Sequence, residues 1–187
     1  MTGLRVISGI AKGRRLRAVP GDTTRPITDR TKESLFNIIG ADIQNASFLD
    51  LFAGTGAVGI EALSRGAQFA RFVDKIYTAV QTIHENLRLT HLEQYAEVKK
   101  MDAFQLIDSI PDRQFDYIYI APPQYKGIWK DILLKIDANL GWLAQDGWVI
   151  VQIHPIEYEE LGEKDGLTHL RRFDQRRYGS TLLVFYQ

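Results

Sequence analysis

The chain contains no cysteine and only two methionines among its 187 residues. Disulfides, thiolate metal sites and a thiol nucleophile are therefore excluded. It also lacks any apolar run approaching the roughly 18 residues that a membrane span needs. The first 17 residues are basic but have no apolar stretch of the kind a secretory signal carries, so an intracellular, cytoplasmic protein is expected. Net charge is absent too, with 23 basic against 23 acidic side chains, which argues against a uniform nucleic-acid-binding surface. Charge is instead uneven along the chain. Between Met1 and Gly21 stand Arg5, Lys12, Arg14, Arg15 and Arg17 with no acid, and Arg171, Arg172, Arg176 and Arg177 surround the lone Asp174. Basic ends on a neutral protein can grip a phosphate backbone locally, although they also read as solvated charges. With 45% hydrophobic and 25% charged residues, the composition suits one soluble globular domain.

Alternation of apolar and small residues from Leu4 to Val19, with Gly9 and Gly13 between, predicts a small β-hairpin. Pro20-Gly21-Asp22 breaks it. A helix capped by Thr28 or Asp29 runs to about Ile39. Strands are then expected at Phe48–Phe52, Phe69–Val73, Tyr95–Lys99, Phe115–Ile120 and Trp148–Ile153. Helices at Val58–Arg65, Thr78–Leu89, Phe104–Ile110 and Gly127–Leu143 separate them. The last strands, Thr168–Tyr178 and Thr181–Tyr186, are expected to be antiparallel across Gly179-Ser180. Such alternation implies a mostly parallel sheet of an α/β fold, covered on both faces, with a ligand at the carboxyl ends of its strands. The expected layout is a β-hairpin extension over residues 1–24 followed by one α/β domain over 25–187.

The stretch Leu49 to Gly59 holds Gly54-x-Gly56-x-x-Gly59 directly after a strand. Glycines there let a ligand approach the backbone, and the N–H groups of the next helix suit an anionic group. Spacing alone also fits a dinucleotide. Asp50, however, lies inside the strand, where a carboxylate is awkward beside a pyrophosphate and apt for a cofactor carrying an amino group, such as S-adenosylmethionine. Asp74, 20 residues after Gly54, is placed to accept from ribose hydroxyls. Asp102 is read both as a contact to the adenine amino group and as a helix N-cap. A nicotinamide cofactor would explain Asp74 and the glycines but not Asp50.

After the fourth strand comes Ala121-Pro122-Pro123-Gln124-Tyr125. Two prolines make a rigid, donor-poor loop whose carbonyls can accept from an amino group, and Tyr125 can stack on a planar base. His84, His91, His154 and His169 show no ligand spacing, so no metal is expected.

The chain resembles the RsmD-type methyltransferases, which methylate the N2 amine of a guanine in small-subunit ribosomal RNA. The likeness spans Leu4 to Gly9, Lys12 to Leu16, Arg25-Pro26-Ile27-Thr28-Asp29-Arg30, Lys32 to Asn37, Leu49 to Gly66, Asn86-Leu87 and Arg177 to Thr181. It implies a Rossmann-like S-adenosylmethionine-dependent fold, with a seven-stranded, mostly parallel sheet whose last strand is antiparallel. It implies cofactor contacts at Asp50, Phe52, Ala53, Gly54, Gly56, Asp74, Lys75, Asp102 and Ala103, and catalytic positions at Ala121, Pro122, Pro123, Gln124 and Tyr125. It further implies that ribosomal RNA, free or within the small subunit or its precursor, meets Arg5, Lys12, Arg14, Arg15, Arg17, Arg25 and Arg30. The segment from Arg25 to Arg30 would cover the active site. One position departs from the family. Ala121 replaces the usual acid before the two prolines, and Gln124 intervenes before Tyr125. Either Gln124 or a water supplies the missing acceptor, or the chain is a weakened or inactive homologue that binds RNA as an assembly factor.

Overall fold

The structure, a computed structural model, describes residues 4–21, 27–161 and 166–187. Seven strands form one sheet: β1 Ser47–Asp50, β2 Phe69–Asp74, β3 Ala96–Lys100, β4 Phe115–Ile120, β5 Leu143–Ile153, β6 Arg172–Tyr178 and β7 Thr181–Tyr186. Their spatial order is β3-β2-β1-β4-β5-β7-β6. The first five are parallel, while β7 runs antiparallel to both β5 and β6. Strand order reverses beside β1, which is flanked by β2 and β4. That is where open α/β sheets leave a crevice beyond the carboxyl ends of their strands.

The helices are α1 Asp29–Ile39, α2 Ala57–Ser64, α3 Tyr77–Thr90, α4 Ala103–Asp108, α5 Ile128–Ala138 and α6 Pro155–Leu161. They cover two faces because successive strand side chains point to opposite sides. Phe48, Phe72, Tyr117, Tyr119 and Ile150 join Leu35, Phe36, Ile60 and Ile83 in one core. Leu49, Val73, Ile118, Ile120, Val149 and Val151 join Leu106, Trp129, Ile132 and Ile136 in the other. Both clusters are closed to solvent, which is why the central strands read as continuous apolar runs.

The first segment does not form the regular hairpin expected of it. Among its described residues one bridge joins Arg5 and Arg15, with Val6 N–H donating to Arg14 O at 2.9 Å and Leu16 N–H to Leu4 O at 2.8 Å. Between these, α2 takes the backbone groups a ladder would have used. Ile7 and Ser8 N–H donate to the Glu61 carboxylate at 2.9 and 3.0 Å, and Ala11 N–H donates to Ser64 Oγ at 3.0 Å. Gly9 adopts φ +83°, and a Cβ there would sit 1.7 Å from Ser64 O, so only glycine permits this approach. Val6, Ala11 and Leu16 are buried in the same core as α1 to α3.

Beneath the segment lies a fully buried ion pair. Lys32 Nζ donates to Arg5 O at 2.6 Å and stands 3.4 Å from Glu61 Oε2, while Arg65 Nε donates to Glu61 Oε1 at 2.8 Å. Burial draws the Lys32 ammonium below its ordinary pKa, against the opposing pull of Glu61.

Several element boundaries differ from those expected. The helix foreseen to Leu143 ends at Ala138, because Asn139 leaves the helical region (φ −134°, ψ 74°) and a 3-10 turn at Leu140–Trp142 follows. Leu143 then pairs with Phe115 at the start of a longer β5. The strand foreseen from Thr168 begins only at Arg172. Thr168, His169 and Leu170 N–H donate instead to the Asp137 carboxylate, at 2.7, 2.8 and 2.7 Å. Burial opposes ionisation of Asp137, but these donors outweigh it and hold the group below the usual carboxylate range. The helix foreseen to Ile110 stops at Asp108, where Ser109 Oγ donates back to Leu106 O at 2.7 Å. Helix α6, at the carboxyl end of β5, has no counterpart in the sequence reading.

Candidate active site

Asp50 and Tyr119 are opposite residues of β1 and β4, so the glycine turn and the Ala121 loop leave the sheet side by side. Neighbouring strands lie about 4.8 Å apart, which puts both loops within reach of one small molecule. The turn itself is tight. Gly56 N–H donates to Ala53 O at 2.7 Å, and Ala53 N–H donates to Val73 O at 3.0 Å. Gly54 and Gly56 take φ +54° and +77°, the left-handed region that glycine enters without strain. No atom lies within 4 Å of where a Gly54 Cβ would stand. Space is therefore open above the turn.

Asp50 is 1% exposed. Gly59 N–H donates to its Oδ2 at a long 3.4 Å, and its Oδ1 has no partner among the described residues. Burial pushes its carboxyl up to about 7, with the weak Gly59 bond opposing and the Asp74 charge adding to the rise. A buried, half-satisfied carboxylate of this kind calls for a cationic donor. An amino group is such a donor, and so the residues present fit the amino-acid end of S-adenosylmethionine.

Asp74 closes β2 and is already engaged. Gly54 N–H donates to Oδ2 and Ile76 N–H to Oδ1, both at 2.9 Å. Each carboxylate oxygen can accept a second bond, so hydroxyls can still be received. Asp102 is the N-cap of α4, Phe104 N–H donating to its Oδ1 at 2.9 Å. Its Oδ2 lies 3.6 Å from the exposed Lys75 Nζ, and Ala103 is the buried first residue of α4. Phe52 is half-buried and packs against the α4–α5 core. The structure thus gathers Asp50, the glycines and Asp74 at one place, with Lys75 and Asp102 beside them.

In the β4 loop Pro122 is buried, Ala121 is half-buried against the α1–α3 core, and Pro123 and Gln124 are exposed. Tyr125 is 63% exposed at φ +61°, a conformation that costs a non-glycine residue of order 1 kcal/mol and that turns its side chain outward. Its ring centre lies 5.6 Å from that of His154, which follows β5. Below, the fully buried Tyr119 hydroxyl donates to Gln152 Oε1. Burial, with the Asp50 charge second, keeps that phenol well above its ordinary pKa.

The cationic residues are exposed, and several are anchored. Arg5 Nε donates to Asp29 Oδ2 at 2.8 Å, Arg14 Nη1 to Leu89 O at 3.3 Å, and Arg17 Nη1 stands 3.2 Å from Glu85. Lys12, Arg15 and Arg30 are open to solvent. Arg25 and Pro26, the first two residues of the segment expected to cover the site, lie outside the described residues, while Thr28 caps α1 and Asp29 begins it.

Sequence reasoning gave no role to His154, Ile76, Tyr119 or Gln152. Only Ile76 left a trace in the chain, as an apolar residue just past the Asp74-Lys75 strand end, and it stands 55% exposed there. The others reach the site through pairing between β4 and β5. Among the described residues no cluster of three potential metal ligands occurs, and no helix is long and apolar enough to cross a membrane.

A parallel sheet that reverses beside β1, a trailing antiparallel pair, and a carboxylate-flanked glycine turn at the switch point define a Rossmann-like, S-adenosylmethionine-dependent methyltransferase fold. Solved structures agree. The protein described as putative methyltransferase yhhF from Escherichia coli superposes with a TM-score of 0.83 at 29% identity, covering 98% of this chain and 97% of that one. The chain belongs to the RsmD-type methyltransferase family, whose model, described as "Conserved hypothetical protein 95", matches residues 4–187. The putative rRNA methyltransferase YlbH of Bacillus subtilis is 40% identical over 98% of both chains. Ribosomal RNA small subunit methyltransferase D of Escherichia coli K12 is 32% identical over 80% of this chain and 74% of its own.

Proposed function

We propose that the protein methylates the exocyclic amine of an RNA base, with guanine N2 of small-subunit ribosomal RNA as the target. The observation that carries this reading is the buried, unpartnered Asp50 Oδ1 beneath an open glycine turn, one strand from the Ala121 loop. The relatives' names support ribosomal RNA as substrate, and one more distant structural neighbour, at 18% identity, holds S-adenosylhomocysteine. On this reading the reaction takes place in the cytoplasm.

S-adenosylmethionine supplies an electrophilic methyl group when bound. Asp50 receives its amino end, the turn from Phe52 and Ala53 to Gly56 admits its backbone-hugging part, and Asp74 accepts from the ribose. Lys75, Asp102 and Ala103 border the adenine. Across the crevice, the Pro122 carbonyl accepts an N–H of the base amine, Pro123 stiffens the loop, and Tyr125 stacks on the ring. Gln124 stands in as the second acceptor that Ala121 cannot provide. Alignment of this kind can lower a barrier by roughly 7–11 kcal/mol. The amino-terminal segment holds the RNA backbone through Arg5, Lys12, Arg14, Arg15 and Arg17, with Arg25 and Arg30 as further phosphate contacts.

Titration of the protein with S-adenosylmethionine, with a nicotinamide nucleotide as competitor, comes first. Displacement by the nicotinamide, or no binding at all, removes the reading. Labelled methyl incorporation into free small-subunit RNA and into the assembled subunit, with mapping of the modified base, then tests the target. Cofactor and RNA binding without incorporation would favour the second reading, an assembly factor disabled at Ala121.

A further inference from the structure

Asp50, Tyr119 and Gln152 form a row across the carboxyl ends of β1, β4 and β5. Asp50 pairs with Tyr119, and the last pair between β4 and β5 is Ile120 with Val151. Alternation along β5 puts Gln152 on the face of Trp148 and Ile150, the face that Tyr119 and Ala121 share. Ala121 follows Ile120 as Gln152 follows Val151. The alanine that stands in place of an acid is therefore the cross-strand neighbour of this amide, and its methyl group takes up little of the space between the two chains.

The amide is held by one end only. The buried Tyr119 hydroxyl donates to Gln152 Oε1. Burial, then the Asp50 charge, keeps that phenol protonated, so it remains a donor and needs the carbonyl end of the amide. This fixes Oε1 toward Tyr119 and turns Nε2 away. Nε2 donates to none of the described residues and is not sealed from solvent. Gln152 is thus half-buried and oriented, yet carries two idle N–H groups at the crevice. Two residues further on, the His154 ring centre lies 5.6 Å from that of Tyr125, the residue proposed to stack on the base.

We propose that Gln152 is a specificity-determining residue that donates Nε2–H to O6 of the target guanine, and that Tyr119 positions it. The inference rests on the reading of guanine N2 as methyl acceptor. Guanine carries its N2 amine and its O6 acceptor at opposite ends of one edge, whereas adenine presents an amine where guanine has O6. Neighbouring strands lie about 4.8 Å apart, a span comparable to that edge. With N2 at the Pro122 carbonyl after β4, O6 falls on the β5 side, where Gln152 stands. An adenine there would set donor against donor and leave both unpaired, a larger penalty than the bond is worth. The Tyr119 hydroxyl keeps the amide from turning over, which would present Oε1 and remove the discrimination.

The test is methyl incorporation, as kcat/KM, into an RNA whose target guanine is kept or replaced. One replacement is 2-aminopurine, which retains the N2 amine and lacks O6. The other is 2,6-diaminopurine, which carries a donor in place of O6. Wild type should prefer guanine to both. Gln152→Ala should lower the preference over 2-aminopurine about tenfold, as loss of one desolvated hydrogen bond requires. Gln152→Glu sets a carboxylate against O6, so it should lower the guanine rate by about tenfold or more and narrow the preference over 2,6-diaminopurine. Tyr119→Phe keeps the ring and should lower the guanine to 2-aminopurine ratio several-fold. A merely structural loss lowers both rates alike and leaves that ratio unmoved. No incorporation into the guanine RNA by wild type would remove the methylation reading and this inference with it. Incorporation with an unmoved ratio in Gln152→Ala, or a guanine rate that Gln152→Glu maintains or raises, would overturn the inference alone. An unmoved ratio in Tyr119→Phe would overturn the positioning role of Tyr119.

Discussion

Asn86, fully buried on α3, donates through Nδ2 to Thr55 O in the glycine turn at 2.8 Å and to Arg17 O at 3.0 Å, while Arg17 N–H donates to its Oδ1 at 2.7 Å. One side-chain amide thus ties the cationic amino-terminal segment to the turn over which the cofactor is proposed to lie. Both Nδ2 hydrogens are used, and no other residue type of that size offers the same set. Replacing it with alanine strands an N–H and two carbonyls, each worth about 1–3 kcal/mol when fully buried and less here, where Arg17 is exposed and Thr55 half-buried. Asn86→Ala should therefore destabilise the protein by about 2–4 kcal/mol in urea unfolding and loosen cofactor binding at temperatures where the variant is folded. Stability within 0.5 kcal/mol of wild type, roughly the noise of a surface change, would refute this reading of the amide.

Asp50 should make cofactor binding pH-dependent. Its folded pKa of about 7 lies above the ordinary 3.8, so the ligand-free protein prefers the protonated acid. The stability this contributes is complete below about pH 4 and is lost as pH rises through 7, an upper bound of about 4 kcal/mol. A cationic amino group needs the ionised form. Affinity for S-adenosylmethionine should then rise about tenfold per pH unit below 7 and level off above it. Asp50→Asn should bind weakly with a flat profile and should lack the stability loss between about pH 4 and 7. Calorimetry in buffers of different ionisation enthalpy would register the proton released near neutral pH.

Glu61 organises the amino-terminal segment and neutralises Lys32. Removing only the carboxylate, as in Glu61→Ala, leaves a buried ammonium and two unpaired backbone N–H groups. The expected cost is about 3–5 kcal/mol, the penalty of an uncompensated buried charge. Lys32→Met with Glu61→Gln keeps volume and should recover part of that loss. Thermal unfolding of both would reveal whether the ion pair or the hydrogen bonds dominate.

Ala121 marks where the chemistry is weakest. If a second acceptor is missing, Ala121→Asp should raise methyl incorporation by up to about 10²–10³ at unchanged cofactor affinity. Tyr125→Ala should weaken RNA-base placement by about 1–3 kcal/mol, read as a loss in kcat/KM. Wild-type incorporation at a rate that Ala121→Asp does not improve would show that Gln124 or solvent already fills the role.

Arg14→Ala and Arg15→Ala should each lower the salt dependence of RNA affinity by about one unit per lost phosphate contact. Arg14 also donates to the last turn of α3, so a small stability loss is expected there and not for Arg15. Identical salt slopes in both variants and wild type would place the RNA elsewhere.

The sequence alone determined the alternation of strands and helices, the glycine turn after β1 and the spacing of Asp50 and Asp74. Each is written in local periodicity or in residues whose backbone freedom or charge is unusual for their position. Tertiary structure decided what local pattern does not encode. The residues from Ile7 to Ala11 read as part of a hairpin, but Glu61 and Ser64, more than fifty positions away, capture their N–H groups. Asp137 likewise shortened β6, and β4–β5 pairing carried His154 to Tyr125. Long-range hydrogen bonds outcompete local propensity wherever burial forbids leaving a polar group unpaired, and it is there that a linear reading stops.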